Sequence, residues 1–319
     1  MKRSLLLVSS FFLVIVIIVI VAGSLFAKTE IETRAKMGTF VEITLQGPKW
    51  QNFEGALDAA FSAIDKVERI ASIYDKESEV SRLNQLAHVK PTVVSDELFI
   101  LISDSIKLSK ASDGAFDITV APLVKLWREY RNRDSIPAVI DIDNALSHVG
   151  YNRLRLDSTE QTVFFEEKGV EIDLSAIAKG YAVDRAIEAL RQKGFKSMMV
   201  NAGGDLYTFG KKNLFNKWRI GIINPKNKKG ILKVLRISNE AVATSGGYEQ
   251  FFTYKNKQYT HLINPKTGYP IEKIFSSVSV IAPNCTLADG IATAVAVGGE
   301  KSRKGIKQSY PEIEIILDE

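Results

Sequence analysis

The stretch IDLSAIAKGYAVDRAIEALRQKGFKSMMVNAGGDLYTFG, residues 172–210, decides the fold. Residues 176–193 read as one strong helix, and Gly194 stands where a left-handed glycine commonly ends a helix. The apolar run Met198-Met199-Val200 lies within a strand expected over 197–201. Asn201-Ala202-Gly203-Gly204-Asp205 then turns the chain into a second strand over 206–209. A helix feeding a strand–turn–strand unit departs from strict βαβ alternation. It points to an α+β fold with a mainly antiparallel sheet and inserted helices. The paired glycines let a backbone come close to something, and a tight turn and a ligand contact fit them equally. Their spacing is not G-x-G-x-x-G, so a Rossmann dinucleotide site is not supported.

Working outward, residues 39–45 alternate apolar and polar and read as a strand. Residues 51–74 carry helical periodicity, with Phe53, Leu57, Ala60, Phe61, Ile64 and Val67 on one face. Residues 95–111 form a second helix with Ser95 as N-cap and Leu98, Ile102, Ile106 and Leu108 inward. A short helix is expected over 143–149 and a hairpin of 153–156 with 162–165. Further strands are expected over 218–223, 232–237, 241–244, 278–281 and 313–317, and a helix over 287–297.

Hydrophobic residues make up 45% and charged residues 25% of the 319, which places the chain among globular proteins and excludes gross disorder. The net charge of +5 is mild and its lysine runs are short, as at 226–229. No basic run is interleaved with aromatics, so nucleic acid is not expected as a partner. The lone Cys285 excludes an internal disulfide framework and a cysteine metal cluster.

Lys2 and Arg3 precede a run, residues 4–27, that has no charged side chain. A spanning helix needs about 20 apolar residues, whereas a secretory signal core has about 7–15. The length favours an uncleaved signal anchor, while the small residues Ala22, Gly23, Ser24 and Ala27 leave a cleaved signal peptide open. Positive residues before the span put the N-terminus in the cytoplasm and the rest outside. Residues 1–27 are thus expected to be the membrane segment and 28–319 one extracytoplasmic domain.

Several constellations could carry chemistry. The start of the 176–193 helix offers free N–H groups to an anion and adds Lys179 there; an ordinary capped helix with a surface lysine fits the same residues. Asp289 and Thr293 stand four apart on an expected helix, so their oxygens share one side. A carboxylate with a hydroxyl is a hard-oxygen pair suited to Mg²⁺; taken alone, a helix cap and a back-bonded threonine explain the pair more simply. His261 lies in a turn with Pro265 and Gly268 and can serve as a general acid or base, or be a plain loop residue. Thr244-Ser245-Gly246-Gly247-Tyr248 is a further glycine-rich turn. No nucleophile elbow, H-E-x-x-H or Walker A loop is present.

In order along the chain, Met37-Gly38-Thr39, Tyr74-Asp75, Ser81 to Asn84 and Asp113-Gly114-Ala115-Phe116-Asp117 come first. Asp173 to Asp184, Asn201 to Asp205, Thr244-Ser245-Gly246, His261 to Pro265 and Ala288 to Ala294 follow. This series resembles the ApbE family over roughly residues 37–299. The resemblance implies one α+β domain and an FAD:protein FMN transferase. Such an enzyme cleaves the pyrophosphate of FAD, releases AMP and joins FMN through a phosphoester to a Thr or Ser hydroxyl. It implies Mg²⁺ held by Asp289, Thr293 and a backbone carbonyl near Ala178, with Lys179 near the phosphates and His261 handling a proton or a phosphate. Met37, Tyr74, Asp117, Asp184, Asp205 and Ser245 would shape the flavin and adenosine pocket, with Tyr74 able to stack on the isoalloxazine. Implied partners are FAD and exported or membrane subunits of redox complexes that accept the flavin. Asn264 stands where many members have Asp, which weakens an acid–base role at that position. A Mg²⁺-dependent FAD pyrophosphatase and a non-catalytic flavin-binding protein remain as competing readings of the same residues.

Overall fold

The computed structural model describes residues 27–318 except 132, 134, 214, 247–250, 256 and 272–274. The expected membrane segment, apart from Ala27, and Gly247-Tyr248 of the glycine-rich turn lie outside the described residues. No described helix is long and apolar enough to cross a membrane.

The chain opens with strands β1 (Ala27–Lys36) and β2 (Thr39–Pro48), then helices α1 (Phe53–Ala71) and α2 (Glu79–Leu86). Strand β3 (Thr92–Val93), helices α3 (Asp96–Ala111), α4 (Ala121–Arg131) and α5 (Val139–Leu146), and strands β4 (Leu154–Asp157) and β5 (Thr162–Phe165) come next. Helix α6 (Ser175–Gln192) leads into β6 (Ser197–Ala202) and β7 (Asp205–Phe209). The chain continues through β8 (Trp218–Asn224), β9 (Asn227–Ile237), β10 (Glu240–Ser245), β11 (Phe251–Tyr254), β12 (Lys257–Thr260) and β13 (Ser277–Ala282). Helix α7 (Cys285–Ser309) and strand β14 (Glu314–Asp318) close it.

The main sheet has the order β1-β2-β6-β7-β10-β13-β14. Every neighbouring pair in it is antiparallel, as the 172–210 stretch implied. One face is covered by helices α1, α3, α6 and α7. Alternation makes this possible. In β10, Ala241 and Ala243 face the helices, while Val242 faces the opposite layer with Leu206 and Ile281. That opposite layer is the β8–β9 ribbon, which contributes Ile222, Leu235 and Ile237. Strand β13 is buried along its whole length because both faces are covered.

Several boundaries moved for physical reasons. The short helix lies at Val139–Leu146 rather than 143–149, because Ile142 packs under Leu123 and Trp127 in a satellite core. Helix α7 runs past the expected end at 297, through Gly298 and Gly299 to Ser309, with a break at Gly299 (φ 60°). Ala27, the first described residue, already pairs with Pro48 in β1.

Candidate active site

Helix α6 enters over the sheet and brings Ala178, Lys179 and Gly180 beside α7. The approach is close enough to require a glycine: a Cβ on Gly180 would stand 2.3 Å from the Cys285 carbonyl oxygen. The Gly180 N–H donates to Asp289 Oδ2 at 3.0 Å, so the helix contact also aims the carboxylate. Asp289 is 4% exposed. Thr293, one turn on, lies 3.3 Å from Ser245 Oγ at the end of β10. Lys179 pairs with Asp205 at the start of β7, and the Thr244 N–H reaches Asp205 Oδ1 at 3.4 Å. Ala178, Lys179, Asp205, Ser245, Asp289 and Thr293, scattered over 116 positions from 178 to 293, are therefore one cluster.

Its electrostatics are unbalanced. Burial, and then the neighbouring Asp205 carboxylate, push the Asp289 carboxyl up to about 7. Burial opposes the charge on Lys179, but the Asp289 and Asp205 carboxylates outweigh it and hold the ammonium charged well beyond its usual range. Two carboxylates thus face one ammonium. The surplus negative charge, set beside the Thr293 hydroxyl, is a donor set that fits a hard cation. With one carboxylate and neutral oxygens, such a site leaves coordination places for phosphate oxygens and water. Among the described residues no group of three or more His, Cys, Asp or Glu could hold a metal.

Other sequence candidates are engaged elsewhere. The two Asp184 carboxylate oxygens accept from the Cys285 N–H (2.8 Å), the Thr286 N–H (2.8 Å) and the Thr286 hydroxyl (2.5 Å). They tie α6 to the start of α7. Asp117 similarly accepts from Thr119 N (2.8 Å) and Tyr151 N (2.8 Å) and orders the loop after α3. Burial raises the carboxyl pKa of both. Tyr74 is exposed, with the Arg128 guanidinium over its ring at 4.8 Å. Met37 sits in the two-residue turn between β1 and β2 with a positive φ of 52°. That turn adjoins Gly203, whose Cβ would meet Thr39 Oγ1 at 2.5 Å.

His261 is exposed and immediately follows β12. The segments on either side of it line a cleft of about 400 Å³ with Lys257, Tyr259, Asn264, Thr267, Tyr269 and Val297. Val297 is one helical turn beyond Thr293, so the cleft continues the row of Asp289 and Thr293 along α7. The 264–268 turn is braced by the Trp127 indole, which donates to the Gly268 carbonyl at 2.7 Å and stacks on Tyr259. Lys266 in that turn reaches Asp113 at 2.8 Å. Sequence reasoning missed the cleft residues of β12. The spacing of Val297 from Thr293 was the one signal that could have pointed there.

Comparison with known proteins identifies the family and the fold. The ApbE family profile matches residues 37–317. An FAD:protein FMN transferase of Klebsiella pneumoniae is 33% identical over 80% of this chain and 79% of its own length. One of Haemophilus influenzae is 34% identical over 72% and 68%. The flavin transferase ApbE of Vibrio cholerae superposes with a TM-score of 0.81 at 28% identity, covering 91% of this chain and 93% of the other. The ApbE protein of Thermotoga maritima gives 0.82 at 30% identity, covering 91% and 94%. With its profile match running from the first hairpin to the last strand, this chain belongs to the ApbE family.

Proposed function

We propose that this chain transfers the FMN half of FAD to a Thr or Ser hydroxyl of an exported or membrane protein, at the outer face of a membrane, with Mg²⁺ bound at Asp289. The carrying observation is the buried cluster in which Asp205 and Asp289 outnumber Lys179 beside the Thr293 hydroxyl. Its relatives' names supply the reaction class. In the reaction an acceptor oxygen forms a bond to the FMN phosphorus, the P–O bond to the bridging oxygen breaks, and AMP leaves with that oxygen. Transfer of this kind needs positioning and charge neutralisation more than covalent help. The cation, when bound, supplies Lewis-acid stabilisation of the pyrophosphate.

The chain's own residues do the remainder. Asp289, Thr293 and the Ala178 carbonyl would hold the cation. Gly180 N–H fixes the Asp289 carboxylate, and Ser245 fixes the Thr293 hydroxyl. Lys179, steadied by Asp205, offers its ammonium to a phosphate oxygen. His261 takes the acceptor proton. The cleft between β12 and α7 receives part of the dinucleotide, with Tyr259 and Tyr269 as its aromatic walls.

The test is incubation with FAD, Mg²⁺ and a secreted acceptor protein, followed by flavin fluorescence of the denatured acceptor in a gel. Covalent fluorescence that disappears without Mg²⁺ and in Asp289→Ala is the expected result. Release of free FMN and AMP with no labelled acceptor would replace the transferase by a pyrophosphatase, and intact FAD would leave only binding.

A further inference from the structure

The strand registers sort the loops into two ends of the main sheet. Ala27 pairs with Pro48, Gln46 with Ser197, Met198 with Phe209, and Thr208 with Glu240. The start of β1 therefore shares one end with the loops at 47–52, 193–197 and 210–217. The Met37-Gly38 turn, the Gly203-Gly204 turn and Ser245, with the catalytic cluster, lie at the other end.

The first end has a distinctive surface. Trp50 is 75% exposed and Phe215 76% exposed. Around them stand six exposed lysines, Lys49, Lys193, Lys196, Lys211, Lys212 and Lys217, and the three loops contain no carboxylate. The loops are tied into one platform: Gln51 Nε2 donates to the Gly194 carbonyl at 3.2 Å, and Ser197 Oγ to the Lys211 carbonyl at 2.7 Å. Phe195 packs edge-on to Phe53 beneath them. Exposed aromatic rings among lysines suit a lipid interface, where the rings enter the headgroup layer and the ammonium groups meet acidic headgroups.

The chain's path points the same way. The uncharged apolar run ends at Ala27, and Ala27 already pairs with Pro48 in β1. No spacer separates the expected membrane segment from this end of the sheet. We infer that residues 47–52, 193–197, 210–213 and 215–217 form a docking face for the anionic lipid surface of the membrane that holds the N-terminal segment. The inference rests on the membrane reading of residues 1–27 and not on the transferase reading. Docked this way, β1 runs along the bilayer normal, its ten residues spanning about 30 Å. The catalytic end then opens away from lipid, toward acceptors in the surrounding space.

The experiment uses the full chain reconstituted in vesicles of phosphatidylcholine alone or with added phosphatidylglycerol, with a phospholipid brominated near the headgroup as quencher. Trp127 and Trp218 are each only 4% exposed, and subtracting the Trp50→Phe signal isolates Trp50. The expected result is quenching of Trp50 that requires phosphatidylglycerol and is weakened by salt. In Lys211→Gln/Lys212→Gln the docked-to-undocked ratio should fall on the order of fivefold per lysine removed. Transfer to a soluble acceptor by that variant serves as the folding control. A chain that floats with the vesicles but shows no Trp50 quenching, or equal quenching in neutral vesicles, overturns the docking face alone. Trp50 shielded without lipid quenching, with copies cross-linking through Phe215→Cys, assigns the face to a second copy and also overturns it. A chain that does not float with any vesicle overturns the membrane reading and the docking face together.

Discussion

Replacing Asp289 by Asn should stabilise the cation-free protein while abolishing transfer. The amide keeps the shape of the carboxylate, and its oxygen still accepts the Gly180 N–H that lies 3.0 Å from Asp289 Oδ2. What it removes is a buried charge beside Asp205, leaving Lys179 and Asp205 as a balanced pair. The Asp289 carboxyl is pushed from 3.8 up to about 7, and each tenfold in proton affinity is worth about 1.4 kcal/mol. Ionising it in the folded chain therefore costs on the order of 4 kcal/mol. A carboxyl whose folded pKa is raised stabilises the fold fully below its unfolded value. That contribution is lost as pH rises through the folded value. The window is thus from about pH 4 to somewhat above pH 7, with the native protein losing stability as pH rises and the Asn variant unaffected by this group. Thermal or urea melts with a chelator present, at pH 5 and pH 8, measure the gap. Asn should exceed the native protein by a few kcal/mol at pH 8 and by much less at pH 5. Added Mg²⁺ should then raise the native melting temperature by mass action and leave the variant unmoved. A gap that does not change with pH, or Mg²⁺ stabilisation that survives in the variant, would refute the surplus-charge reasoning.

Other perturbations probe the supports of the site. Gly180→Ala puts a Cβ 2.3 Å from a backbone carbonyl on α7, and should cost about 1–3 kcal/mol together with most of the transfer rate, read by melts and by acceptor fluorescence. Asp184→Ala strands the Cys285 N–H and the Thr286 N–H and hydroxyl at the start of α7. Loss of these charge-assisted bonds should cost roughly 2–3 kcal/mol, and Asp184→Asn should recover part of it in denaturant titrations. Trp127→Phe removes the buried 2.7 Å bond to the Gly268 carbonyl. It should cost about 1–2 kcal/mol and raise KM for FAD more than it lowers kcat, because the brace shapes the cleft rather than the reacting centre.

Much of this molecule was legible in the sequence because local rules and global fold agree. The 172–210 stretch gave the helix, its glycine terminus and the antiparallel pair. Alternation in 39–45 gave a strand that does face a helical layer with alternate residues, Val41, Ile43 and Leu45. Asp289 and Thr293 could be set on one helix face from their spacing alone. What the sequence could not determine was which distant groups share that face. Lys179, Asp205 and Asp289 become one charge cluster only because Gly180 lets α6 reach α7 and because β7 begins under both. The family resemblance implies a pocket role for Asp184. Only the tertiary structure shows both its oxygens committed to the α7 terminus, since hydrogen-bond partners 101 and 102 residues away leave no local signature. The lysines and aromatics at 47–52, 193–197 and 210–217 read singly as ordinary loop residues. Strand register gathers them at the sheet end where β1 begins, because antiparallel pairing returns every second loop to the same end.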